Sequence, residues 1–174
     1  MIKRYYIAAL LIFSCSSALA AGDVRGHCGN KEQIVFSCHV GKKVLSLCMS
    51  KPDAGESGYM QYRFGPLNRP ELVFPKALES ATKNFFLSSA GYSAGGEARV
   101  RFSIGTYDYI LYSKVTSAPP DASGIREKFS SAGLVILNSK KPIGDLQCME
   151  KNTDFNFPDG YLKEENFNYD VDTP

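Results

Sequence analysis

The feature that most limits what this chain can fold into is alternation of apolar and polar residues over short runs bounded by turns. Met60, Tyr62 and Phe64 alternate with Gln61 and Arg63, and Val100, Phe102 and Ile104 alternate with Arg99, Arg101 and Ser103. A period of two sends neighbouring side chains to opposite faces, the pattern of an antiparallel strand with one buried and one wet side. The runs come in pairs. Residues 34–40 and 44–49 flank Gly41, residues 59–64 return as 71–74, residues 99–104 and 107–112 flank Gly105, and residues 134–137 precede 146–148. Helical signal is confined to 75–83 and to 121–130, where Ile125 and Phe129 share a face at i, i+4. The expectation is an all-β domain of antiparallel hairpins, forming a sandwich or small barrel with one or two short helices. Its core should include Val35, Met60, Tyr62, Phe64, Val100, Phe102, Ile104 and Leu111.

The N-terminus reads as a secretory signal over residues 1–20. Lys3 and Arg4 form a basic head, residues 7–13 an apolar run, and Ala18-Leu19-Ala20 a small-x-small cleavage pattern. The run is too short to span a bilayer, so no transmembrane segment is expected. Export with cleavage after Ala20 places the mature chain in the periplasm or outside the cell. Cys15 leaves with the signal, and Cys28, Cys38, Cys48 and Cys148 remain to form two disulfides. Four cysteines allow three connectivities. Cys48 and Cys148 each end an expected strand, which favours their pairing, with Cys28–Cys38 by elimination.

About 154 residues then make one domain, large enough to bury roughly 70% of its unfolded surface without metal or cofactor. We divide it into an antiparallel β domain over 21–149 and an acidic, loosely packed tail over 150–174, whose Phe155, Phe157 and Phe167 are candidates to dock on the body. Without Lys3 and Arg4 the chain has eighteen basic and eighteen acidic residues, seven of the acidic ones in the tail. This balance and the absence of a long basic run disfavour nucleic acid. Arg63, Arg99 and Arg101 fall on expected wet faces, as a patch for an acidic partner or as an ordinary solvated surface.

Several strings resemble chemistry. Gly91-Tyr92-Ser93-Ala94-Gly95 matches the G-x-S-x-G nucleophile elbow, but an alternating strand follows where the elbow needs a helix, and His27 and His39 both precede the serine. A serine hydrolase is therefore the third-ranked reading. Ser80-Ala81-Thr82-Lys83 fits S-x-x-K without its companion motifs. His27-Cys28 and Cys38-His39 lack zinc spacing, and oxidation would remove the thiolates. Asp154, Asn156 and Asp159-Gly160 form a calcium-like run with its glycine out of EF-hand register. No cofactor or metal is expected, and ordering or calcium binding of the tail stays open.

The stretch 88–99, rich in Ser, Gly and Tyr, resembles the recognition loop of bacterial periplasmic lysozyme inhibitors, although Tyr92 directly follows Gly91 where that family has a Ser-Gly-x-x-Tyr order. The resemblance implies that Ser89, Tyr92 and Ser93 occlude an enzyme cleft without turnover. The leading expectation is an exported, non-catalytic binding protein of the bacterial envelope with a protein or glycan ligand. The alternative is an inhibitor or immunity-type protein that blocks a cell-wall hydrolase such as lysozyme.

Overall fold

The computed structural model describes residues 26–51 and 58–174, so the expected signal and cleavage site lie outside the described residues. Ten strands and a single helical turn build two sheets. The small sheet has the order β1 (Glu32–Val40), β2 (Lys43–Ser50), β3 (Met60–Gly65), β4 (Leu72–Phe74), all antiparallel. The large sheet contains β5 (Phe86–Tyr92), β6 (Gly95–Ile104), β7 (Tyr107–Ser117), β8 (Lys128–Asn138) and β9 (Lys141–Gln147) in sequential antiparallel order. The two-residue β10 (Lys163–Glu164) adds in parallel beside β5. The hairpins legible in the alternation are all present, and among the described residues no helix is long and apolar enough to cross a membrane.

The sheets pack face to face as a sandwich. One cluster unites Val35, Phe36, Leu45, Leu47, Met60 and Tyr62 of the small sheet with Val100, Phe102, Leu111 and Leu134 of the large one. Phe102 is its centre, stacked on Phe74 at 5.0 Å and on Tyr109 at 4.9 Å, with Tyr62 and Phe85 at 4.8 and 5.4 Å. Phe64 and Ile104 pack at its margin, partly buried.

The disulfides correct the expected pairing: Cys28 joins Cys48, and Cys38 joins Cys148. Register explains the choice. Cys38 lies opposite Leu45 on the core face, whereas Cys48 lies opposite Gln61 on the outer face. Each therefore takes the partner on its own side. Cys28 comes from the segment crossing the outer face, and Cys148 from just past β9. Beside the second bond, the His39 N–H and ring Nδ1 meet Glu150 at 2.9 and 2.6 Å, and the Met149 N–H donates to the His39 carbonyl.

Of the two expected helical stretches, the first is shortened to a single turn and the second is replaced by a turn and the start of a strand. Over 75–83 the Pro75 carbonyl is taken by Gln61 and Ser80 bridges Tyr59, so only α1 (Ala81–Asn84) forms. Over 121–130 the Asp121 carboxylate accepts from the Ser123 and Ile125 N–H groups and the Ser123 hydroxyl, closing a turn. β8 has already begun at Lys128, paired with Ser117.

Candidate functional site

The polar faces expected to be wet are covered at their centres. On the small sheet, residues 26–31 cross the outer face. The Gly26 backbone lies so close to Ser37 and Ser46 that an added Cβ would sit 2.3 and 2.2 Å from their hydroxyls. The His27 N–H donates to Ser46 at 3.0 Å, and Arg63 donates to the His27 carbonyl and, through both terminal nitrogens, to Glu32 at 2.7 and 2.6 Å. Burial by itself would raise the Glu32 carboxyl, but hydrogen bonds from Arg63, the Gly29 N–H and Tyr59 outweigh it and hold the group below its ordinary value.

The large sheet is covered by the C-terminal stretch. Strand register aligns Arg99 with Tyr112 and Gly133, and Arg101 with Ile110 and Val135, on the face turned away from the sandwich core. Ile110, Tyr112, Val135 and Leu137 form a second small core there, closed by Val171. Arg99, only 4% exposed, donates to the Glu97 carboxylate, to the Asn168 carbonyl at 2.7 Å and to the Val171 carbonyl at 2.9 Å. The Thr173 hydroxyl completes this knot on Glu97, and the Phe167 ring lies 4.1 Å from the Arg99 guanidinium. Arg101 is clasped by Glu165, whose hydrogen bonds raise its pKa further. Residues 150–174 thus have little regular structure, yet Phe155 packs on Phe36, Phe157 on the main core and Phe167 on Arg99.

Among the described residues, two neighbouring hollows lie between this strap and the sheet. The larger, about 450 Å³, is lined by Ser88, Arg99, Arg101 and Asp108 from the sheet, by Lys140 of the β8–β9 turn and by Glu165, Asn166, Asn168 and Asp170 from the strap, with Ile110, Leu137 and Val171 as its apolar part. The smaller, about 250 Å³, has Tyr92, Lys114, Phe167 and Tyr169 in its wall and shares Arg99, Asp170 and Val171 with the first.

The residues singled out in the sequence are dispersed by this fold. Tyr92, Arg99 and Arg101 share the outer face of the large sheet, Arg63 belongs to the small sheet, and Ser89 pairs with Ala98 on the opposite face from Tyr92. Ser93 occupies the exposed turn of the β5–β6 hairpin. The elbow-like string is that hairpin. Its second glycine is needed because a Cβ at Gly95 would lie 1.9 Å from the Val115 carbonyl. His27 contacts the Gly65 carbonyl and His39 contacts Glu150, both remote from Ser93 along the small sheet. No protein-family model, curated protein or solved structure matches this chain. Its function therefore has to be argued from the site. Ser88 falls in the stretch 88–99 and Phe167 among the docking candidates of the sequence, but Lys140, Asn166, Asn168 and Asp170 escape sequence reasoning, because nothing local in them signals where the C-terminal segment crosses the sheet.

Proposed function

We propose that this chain is an exported, non-catalytic binding protein of the bacterial envelope that takes a protein or glycan ligand on the outer face of its large sheet. The observation that carries the reading is the hollow of about 450 Å³ between strap and sheet, beside a second that Tyr92 borders. Concave sites with an apolar floor and a few converging polar groups are the usual form of ligand pockets. The sandwich beneath is braced by two disulfides, the buried Arg99–Glu97 pair and the half-buried Arg63–Glu32 pair, which favours a site that needs little ordering on binding. Two disulfides also fit an oxidising compartment such as the periplasm, which the signal-like N-terminus supports.

A second reading, inhibition of a cell-wall hydrolase, is favoured by one further feature. Tyr92, 39% exposed, and Ser93 stand together at the end of the β5–β6 hairpin. Immobilised mature protein should retain a defined envelope protein or polysaccharide from a periplasmic extract, and loss of capture on Tyr92→Ala would place contact at this end. Inhibition of purified lysozyme separates the second reading from the first. Failure to retain either class of ligand refutes both.

A further inference from the structure

Among the described residues, four polar side chains that line the larger hollow, those of Ser88, Lys140, Asn166 and Asp170, make no hydrogen bond or ion pair. Ser88, 7% exposed, lines the hollow, and its hydroxyl has no hydrogen-bond partner among the described residues. Unlike the fully buried, unpartnered hydroxyls of Tyr62 and Tyr112, it keeps some exposure to the hollow, so a ligand or solvent there can satisfy it. Lys140 and Asp170 stand exposed in the lining, and among the described residues neither side chain makes an ion pair or hydrogen bond. The other charges are committed: Arg99 to Glu97, and Arg101 to Glu165 with Asp108 at 3.6 Å.

We propose that this hollow binds an uncharged oligosaccharide, an inference that rests on the binding reading above and names its ligand class. The lining carries as many cations as carboxylates, namely Arg99, Arg101 and Lys140 against Asp108, Glu165 and Asp170, so no net charge selects an ionic ligand. One free ammonium, one free carboxylate and the Ser88 hydroxyl supply donor and acceptor together, which suits neighbouring sugar hydroxyls. Ile110, Leu137 and Val171 give the C–H face of a ring an apolar surface. Tyr169 extends the surface: it is 75% exposed, packs on Phe167 at 5.0 Å and borders the adjoining hollow. The two hollows lie side by side, sharing Arg99, Asp170 and Val171 in their walls.

The test is a screen of the mature, disulfide-bonded protein against an array of neutral, acidic and basic oligosaccharides, followed by calorimetry with the best neutral one. Lys140→Ala, Asp170→Ala and Tyr169→Ala, all at exposed positions, should each weaken binding by about tenfold or more with the melting temperature unchanged. Ser88→Val, which removes the hydroxyl from the lining, should also weaken it, and binding should persist at high salt. Three results overturn the proposal: no neutral oligosaccharide bound, binding of acidic glycans that salt abolishes, or neutral binding that ignores Lys140 and Asp170. If the protein instead captures an envelope protein through Lys140 and Asp170, the saccharide inference falls while the binding reading stands. If it captures neither class, both fall.

Discussion

Arg63 and Arg99 perform the same task on opposite faces of the sandwich. Each sits on a central strand, pairs with a glutamate of its own sheet, and donates to backbone carbonyls of a chain segment crossing that sheet: His27 for Arg63, Asn168 and Val171 for Arg99. A guanidinium suits this position because its planar fork serves a carboxylate and carbonyls together, which a lysine ammonium does less well. The molecule is a sandwich in which both outer faces are partly roofed, one by residues 26–31 and the other by 165–174.

Arg99→Ala should therefore destabilise the protein strongly, by about 3–5 kcal/mol, since it leaves Glu97 buried without its partner. Replacing both members, Arg99→Met with Glu97→Leu, should recover much of the loss in a denaturant titration. The single variant should also become susceptible to proteolysis within 165–174. A single-variant loss below about 1 kcal/mol would show that the knot contributes little.

The two disulfides should differ in weight. The Cys38–Cys148 bond spans 110 residues and the Cys28–Cys48 bond 20. On the chain-entropy argument the longer loop constrains the unfolded chain by about 4–5 kcal/mol and the shorter by about 3 kcal/mol. Paired Cys→Ala variants compared by equilibrium unfolding test the order, and non-reducing peptide mapping tests the connectivity. The opposite ranking would mean that the Cys28–Cys48 bond acts mainly by seating the segment that Arg63 holds.

Alternation in β3 and β6 was sufficient to place Met60, Tyr62, Val100 and Phe102 in the core, because period two states which side chains share a face. It was silent on whether the other face is wet. Gln61, Glu97 and Arg99 are polar and nearly fully buried, at 6%, 5% and 4% exposure, because distant segments lie over them. For Arg99 and Glu97 the contacts span chain separations of 69 to 76 residues, which no local pattern encodes, whereas Gln61 donates to the Pro75 carbonyl 14 residues away. The disulfides were misread for a related reason. Position at a strand end was used where the face of the strand decides, and the irregularity between Ile34 and Phe36 shifts the register of the very strand that carries Cys38. Ile125 and Phe129 showed helical spacing, but the Asp121 turn and the long β7–β8 ladder prevailed.

Phe102→Ala should cost about 3–5 kcal/mol, since the ring is fully buried among four aromatic neighbours and its removal leaves a cavity between the sheets. Chemical denaturation checks this. A loss under about 1 kcal/mol would show that the sheets close over the gap, or that the packing around Phe102 is looser than these contacts imply.

Stability should fall in acid through Glu32 and Glu150. At Glu150, as at Glu32, burial opposes ionisation but hydrogen bonds outweigh it, here from the His39 ring and N–H, and the group lies below its ordinary 4.5. A carboxyl depressed in the folded state stabilises fully above its unfolded value, and that contribution is lost as pH falls through the folded one. Unfolding free energy should hence be steady near neutrality and decline as pH drops below about 4.5. Glu32→Gln should be less stable at neutral pH and show a shallower acid decline. An unchanged acid slope in that variant would rule out Glu32 as a contributor.

Tyr92 distinguishes a contact residue from a structural one. Its hydroxyl donates to Glu97 at 3.0 Å, the same carboxylate that Arg99 and Thr173 occupy, while the residue stays partly open at the hairpin end. Loss of one hydrogen bond from a carboxylate that keeps two other donors should be small, about 0.5–1.5 kcal/mol. Tyr92→Phe and Tyr92→Ala should therefore melt close to the parent protein, and their difference should appear in ligand capture. There Tyr92→Ala is expected to weaken binding by about tenfold, or 1.4 kcal/mol, while Tyr92→Phe keeps the aromatic surface and most of the affinity. A Tyr92→Ala variant that melts far lower with capture intact would make Tyr92 a brace for Glu97, and the hairpin end would lose its place in the binding surface.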